Sequence, residues 1–288
     1  MTYRGYTEPV VSVEPNDFSS LVDLAWEEDL PSGDITTDSL FRDSEKTKAT
    51  LLAKDTGVLC GTDVIECLLK KTNNTIQYTS FLKDGASLEK GSKIGELNGS
   101  LSSILKTERI LLNFIQYLSG IATNASLVVK KYPNLIILDT RKTLPGYRKL
   151  AKYAVHTGGG WNHRINLSDM AMLKDNHIAK AGSIESAVSL IRNRHPNHRI
   201  ELEVDNLTQL KEAILATPDI ILLDNFSDED TKTAISLLKN EAPRILIECS
   251  GGITPERLEF LSGFQGIGVS MGYLTHTVRF LDISLEIV

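Results

Sequence analysis

The chain has 288 residues, 41% of them hydrophobic and 24% charged, and a formal net charge of −6 at pH 7. That apolar content excludes disorder as the main state, and no run approaches the ~18 apolar residues of a membrane span. The acidic balance argues against a general nucleic-acid binder. The absence of a secretion-signal pattern and the three cysteines without metal-ligand spacing (Cys60, Cys67, Cys249) point to a reducing cytoplasm.

In chain order, residues 16–29 carry Phe18, Leu21, Val22, Leu24 and Ala25 at helical spacing and predict an amphipathic helix. PSGDITTD at 31–38 reads as a loop, although its Asp34–Ile35–Thr36 string also suits a helix or strand cap. Glycine-punctuated alternations at 46–60 and 75–100 predict strands of an antiparallel or mixed sheet, with a helix near 61–72 between them. Residues 104–131 predict one or two long helices, with a break at Gly120.

From residue 135 short apolar runs recur: LIILD at 135–139, MAMLKD at 170–175, IELEV at 200–204, DIILLD at 219–224, ILIEC at 245–249 and GIGVS at 266–270. Helical stretches at 183–194, 206–216, 228–240 and 255–262 separate several of them. Apolar strands alternating with helices mean a parallel sheet covered on both faces. A barrel, incomplete with six or seven units, is favoured over a doubly wound sheet, because no Rossmann-type glycine turn follows the first strand. The apolar tail at 278–288 is expected to return to the first domain.

The average charge conceals a local excess. Residues 139–180 hold eight Lys/Arg and three Asp, a net +5, which leaves −11 for the other 246 residues. Glycines interrupt these charges, a pattern that suits an anion site better than a solubilising face.

Strand ends are where barrels place their chemistry, and here they carry Asp139, Arg141, Lys174, Glu203, Asp224, Glu248 and Ser270. Arg141, Lys142, His163, Arg164 and Lys174 are donors for carboxylates and phosphates. Glu203 and Asp224 are two hard oxygen donors suited to Mg²⁺ that also binds substrate phosphates. The strings Ser250–Gly251–Gly252 and Ser270–Met271–Gly272 follow late strands, where backbone N–H groups can approach a phosphate. These residues point to a phosphorylated, anionic, Mg²⁺-dependent substrate and leave the reaction open.

Segment 139–178, DTRKTLPGYRKLAKYAVHTGGGWNHRINLSDMAMLKDNHI, resembles the signature of the quinolinate phosphoribosyltransferases. Further blocks follow the same family in order: WEEDLPSGDITT at 26–37, TERILLNFIQYLSGIAT at 107–123, IELEV, ILLDNF at 221–226, ECSGGIT at 248–254, and SMGYLTHT through LDISL at 270–285. The departures are Gly268 and Tyr273, outside the charged set.

The resemblance implies an N-terminal α/β sandwich domain (1–115, completed by 275–288) and an open seven-stranded parallel α/β barrel (116–274). It implies a homodimer in which one subunit's N-terminal domain covers the other's barrel mouth. The implied reaction joins quinolinate to phosphoribosyl pyrophosphate with Mg²⁺, giving nicotinate mononucleotide, pyrophosphate and CO₂ in NAD biosynthesis. Carried over by position, Arg141, His163, Arg164 and Lys174 surround the quinolinate carboxylates and neighbouring phosphates, with Thr140 beside them. Arg109 crosses the dimer interface, and Lys142 stands near the reacting centre. Glu203 and Asp224 lie near the ribose hydroxyls and Mg²⁺. Ser250, Gly251, Gly252 and Gly272 form the 5′-phosphate loop, with Ser270, Met271 and His276 close by.

Other roles are weighed beside these. Arg148 and Lys149 suit a surface or phosphate-proximal place, His156 packing, Trp161 packing or stacking on a substrate ring, His177 a helix cap or a supporting contact, and Cys249 packing. Two other readings are a Schiff-base lyase using Lys174 and a phosphoribosyltransferase-like protein with another acceptor.

Overall fold

A computed structural model describes residues 6–42 and 44–287. The chain forms two compact units, and the division is not sequential. One unit comprises the described residues up to Glu8 with 128–141 and 161–272. The other comprises 9–127, 142–160 and 273 onward. The boundary expected at 115/116 falls within one continuous helix.

In the second unit a four-stranded antiparallel sheet has the order β12-β1-β5-β3, formed by β1 (Lys46–Ala53), β3 (Ile76–Ser80), β5 (Lys93–Ser100) and β12 (Ile283–Ile287). Two short strands, β2 (Gly57–Val58) and β4 (Ser87–Leu88), pair separately. The C-terminal tail does return: Leu285 lies opposite Leu51 in the β1–β12 ladder. Helices α1 (Ser19–Asp29), α2 (Ile35–Leu40), α3 (Thr62–Leu69), α4 (Leu101–Lys131), α5 (Arg148–Thr157) and the short α11 (Tyr273–His276) accompany these strands.

Two expectations change here. The 31–38 segment is not all loop, because the Asp34 side chain accepts from the Thr36 and Thr37 N–H groups and starts α2. Gly120 does not break α4, which runs unbroken through it. A Cβ at Gly120 would lie 2.3 Å from the Arg279 carbonyl oxygen, so the glycine admits a crossing backbone.

The first unit carries six parallel strands: β6 (Ile136–Leu138), β7 (Ala171–Leu173), β8 (Ile200–Val204), β9 (Ile220–Asp224), β10 (Leu246–Ser250) and β11 (Gly268–Ser270). Their order is β6-β11-β10-β9-β8-β7. The first two strands in sequence are therefore the two edges, and the barrel stays open between them. Six strands, not seven, pair among the described residues. Helices α6 (Asp175–Ala181), α7 (Ile184–Arg194), α8 (Leu207–Ala216), α9 (Asp228–Glu241) and α10 (Pro255–Leu261) alternate with them. Ser183, Asn206, Ser227 and Thr254 cap α7 to α10 by accepting backbone N–H groups. These caps are neutral residues, so Glu203, Asp224 and Glu248 are not consumed by starting helices, whereas the strand-end Lys174 stands at the N-cap position of α6.

Tyr6 closes the core of this unit. It packs with Leu138, Met170 and Ile220, its hydroxyl donates to the Ile247 carbonyl, and it accepts from Gly268 N–H at 2.7 Å. A Cβ at Gly268 would stand 2.6 Å from the Tyr6 ring. The departure seen at Gly268 thus has a local cause: the ring occupies the side chain's place. Gly268→Ala should destabilise the chain by about 1–3 kcal/mol through overpacking. Tyr6→Leu in the same chain should recover part of that loss, and thermal unfolding of the three variants checks both.

Candidate functional site

A parallel sheet gathers the C-terminal ends of its strands at one end, and the polar residues of the first unit collect there. β6 leads into Thr140 and Arg141, and β7 into Lys174. Glu203 lies near the end of β8, Asp224 at the end of β9, Ser250 at the end of β10 and Ser270 at the end of β11. Lys142, Arg109 and His276 fall in the other unit. All three are exposed, Arg109 on α4 and His276 at the end of α11. Thr275 Oγ1 donates to the Lys142 carbonyl at 2.8 Å.

Cations and carboxylates meet across the strands. Lys174 Nζ pairs with Glu203 Oε2. Glu203 and Asp224 are both partly exposed on neighbouring strands. Asn225, at φ +51°, donates from Nδ2 to Asp224 Oδ2 at 2.7 Å, and its N–H donates to the Ser250 carbonyl at 3.1 Å.

Gly251 has φ +81°, and a Cβ there would lie 2.2 Å from Asn225 Oδ1. The glycine is therefore required twice, by its backbone angle and by Asn225. The 250–252 loop and the Asp224 carboxylate are built as one piece. Two carboxylates on neighbouring strand ends form a donor set of hard oxygens that fits Mg²⁺ sharing its shell with water and phosphate.

The basic strip is built from two segments. Arg164 is buried, and burial followed by the nearby Arg141 charge holds its guanidinium below its usual range. Arg141 Nε is shielded from solvent and has no hydrogen-bond partner. Two guanidiniums so placed, one with a donor unspent, form a site for an anion.

Below this strip lies a group that sequence reasoning did not assemble. Asp139 and Glu248, read from the sequence as lining the basin, are fully buried, as is Glu201. The alternation in IELEV could have flagged Glu201, since it shares a strand face with Glu203. His163 Nε2 lies 3.0 Å from Glu201 Oε2 and 3.6 Å from Glu248 Oε1, yet no well-aligned hydrogen bond reaches either carboxylate.

The spacing resembles a metal's ligand shell. The tautomer argues otherwise: Arg164 N–H donates to His163 Nδ1 at 2.7 Å, so the ring proton sits on Nε2 and no lone pair remains there for a metal. His163 is thus turned inward, with both ring nitrogens facing protein groups. Burial and the neighbouring Glu201 push the Glu248 carboxyl up to about 8, while His163 opposes the shift. Burial and the neighbouring carboxylate thus favour the neutral form of Glu248.

The remaining residues settle as follows. His177 caps α6, its Nδ1 accepting from Lys174 N–H at 3.1 Å. Lys149 pairs with Asp17 at 2.6 Å, and Arg148 Nε donates to Thr143 Oγ1 at 3.4 Å. Trp161 packs on the Tyr6 core and bridges to Leu138. His156 is half-buried in the last turn of α5. Cys249 is buried, and burial pushes its thiol up to about 12, which removes it as a nucleophile.

No helix among the described residues is long and apolar enough to cross a membrane.

The fold and strand-end residues are those of a two-part α/β enzyme that handles anionic substrates. Residues 34–119 match the quinolinate phosphoribosyl transferase N-terminal domain, and residues 121–286 match the C-terminal domain of the same family. The chain belongs to the quinolinate phosphoribosyltransferase family.

It is 42% identical over 266 residues to a probable nicotinate-nucleotide pyrophosphorylase [carboxylating] of Bacillus subtilis, covering 90% of each chain. It is 38% identical over 268 residues to the nicotinate-nucleotide pyrophosphorylase [carboxylating] of Mycobacterium leprae, covering 91% of this chain and 94% of that one. The solved structure of the nicotinate-nucleotide pyrophosphorylase from Francisella tularensis superimposes with a TM-score of 0.93 at 37% identity, covering 98% of this chain and all of that one.

The raised Glu248 group gives a pH prediction. The folded state holds this proton more tightly than the unfolded state, so stability is full below about 4.5 and falls as pH rises toward about 8. Glu248→Gln should lack this loss and gain on the wild type progressively across that window. Urea unfolding at a series of pH values checks it.

Proposed function

We propose that the chain transfers the phosphoribosyl group of phosphoribosyl pyrophosphate to quinolinate and releases pyrophosphate and CO₂, yielding nicotinate mononucleotide for NAD biosynthesis. One arrangement carries this reading within the first unit. At one end of a single parallel sheet, the Arg141–Arg164 cation pair stands with the Glu203 and Asp224 carboxylates and the Ser250–Gly252 loop. A dicarboxylate, a pentose and a phosphate call for those three chemistries respectively.

The parts divide as follows. Thr140, Arg141, Arg164 and Lys174 hold the quinolinate carboxylates and adjoining phosphates, with His163 behind them. Ser250, Gly251, Gly252, Ser270, Met271 and Gly272 hold the 5′-phosphate, with His276 nearby. Glu203 and Asp224 would hold Mg²⁺ largely through substrate and water, and the ion would neutralise charge on the departing pyrophosphate.

As the bond from ribosyl C1 to pyrophosphate oxygen breaks, positive charge develops on the sugar, and the same two carboxylates stabilise it. Lys142, near the reacting centre, stabilises the negative charge of the departing pyrophosphate. The ring nitrogen of quinolinate donates its electron pair to C1, and the ring becomes a pyridinium. The neighbouring carboxylate then leaves as CO₂, its bonding electrons remain on the ring carbon beside the cationic nitrogen, and that carbon takes a proton from water. A water-poor site favours this charge-dispersing step. A homodimer in which Arg109 reaches the partner's site would supply the cover, and the exposure of Arg109 in a single chain agrees with that role.

The Schiff-base reading of Lys174 is disfavoured by its ion pair with Glu203 and by its exposure, because that chemistry needs a neutral amine in a dry pocket.

Incubating the pure chain with quinolinate, phosphoribosyl pyrophosphate and Mg²⁺ should yield nicotinate mononucleotide and CO₂. No product, or equal turnover of nicotinate, defeats the reading. Lys142→Ala and Glu203→Ala should each lower turnover at least tenfold while circular dichroism stays unchanged.

Sharing of sites has its own test. Arg109→Ala and Lys142→Ala chains, each at a tenth of wild-type activity or less alone, should reach about a quarter of wild-type activity or slightly more after mixing and reassembly, because random pairing puts one intact site in half of the dimers. Mixtures no more active than the separate variants would exclude the shared site.

A further inference from the structure

Asp139 is fully buried at the end of β6, two residues before Arg141. Both its oxygens accept from the segment that carries Arg164: Oδ1 from His163 N–H at 2.8 Å and Oδ2 from Asn162 Nδ2 at 2.7 Å. Its own N–H donates to the Trp161 carbonyl at 3.0 Å, and Trp161 N–H donates to the Ile137 carbonyl at 2.7 Å. Asn162 is itself buried, and its carbonyl accepts from Thr7 Oγ1. Residues 137–139 and 161–163 are thus laced together through backbone and carboxylate, and each strand of the lacing ends one or two residues before an arginine.

We propose that Asp139 is a positioning residue for quinolinate binding: it holds the segment before Arg164 in register with the segment before Arg141, so that the two guanidiniums converge on one dicarboxylate. The inference rests on the reading of this site as the quinolinate site.

The need for a clamp is physical. Arg164 is desolvated and repelled by Arg141, so the free chain must hold two like charges near one another without the anion that would join them. A buried carboxylate with both oxygens bonded to the 162–163 segment supplies a fixed geometry behind the strip. Below the strip, Glu201 and Glu248 face the inward edge of His163, which limits the ring's freedom to turn. Asp139 does not itself reach substrate, because its oxygens are spent on Asn162 and His163.

The test separates positioning from general stability. Asp139→Ala removes both acceptors, and the KM for quinolinate should rise at least tenfold while the KM for phosphoribosyl pyrophosphate stays within threefold. Asp139→Asn keeps the shape and can still bond both partners if the Asn162 amide turns, so its quinolinate KM should return to within threefold of wild type. An unchanged quinolinate KM in Asp139→Ala, or an equal rise for both substrates, overturns the proposal.

If Asp139→Ala does not fold, Asn162→Ala decides, since it removes one of the two bonds. A rise of at least threefold confined to quinolinate supports the clamp, and no rise overturns it. Quinolinate affinity is read by calorimetry as well as by turnover. A wild-type chain that binds quinolinate without turning it over defeats the functional reading alone, and one that does not bind it defeats both.

Discussion

Burial of Arg164, with the Arg141 charge nearby, is the constraint on which the basic strip of the first unit depends. Their guanidiniums are close enough for one to depress the other, and one of them is buried. Such a pair persists only if the backbone beneath each is held from behind. The bonds of Asp139 to Asn162 and His163, the inward-turned His163 ring and the buried Glu201–Glu248 pair provide that backing. Carboxyl groups thus lie buried beneath the cationic strip, and burial beside Glu201 favours the neutral form of Glu248.

Open parallel topology supplies the rest. Because β6 and β7 are the edges, the segments that bear Arg141 and Lys174 leave from opposite sides of the sheet, with Glu203, Asp224 and Ser250 on the strands between. Adjacent loops are not independent parts. Asn225 bonds the Asp224 carboxylate and abuts Gly251, so the candidate metal-binding carboxylate and the glycine loop share one support. That coupling gives a local reason for an asparagine in the left-handed region directly after Asp224.

The candidate residues divide unevenly between the two units. The first contains most of the candidate site and can be described by itself. The second holds Arg109, Lys142 and His276, all exposed. Arg141 and Lys142 are consecutive residues that fall on either side of the division, so a short stretch of chain delivers one cation to each unit.

Much of this was legible in the residues alone. The apolar runs located all six parallel strands, because a strand buried on both faces must be apolar along its length. The last-strand return of 283–287 followed from its apolar tail, and the cationic excess at 139–180 contains Arg141 and Arg164 of the candidate anion site. Sequence could not say which strand-end charges are exposed. Asp139 and Glu248 have the same local pattern as Asp224, and only the packing of neighbouring strands seals the first two. Nor could it show that Gly120 passes a backbone rather than ending a helix, or that Gly268 yields its place to Tyr6, 262 residues away. Local propensity and periodicity are properties of neighbouring residues, so they determined the elements. Burial, tautomer and the meeting of charges depend on which elements share a space, and the tertiary structure alone decided those.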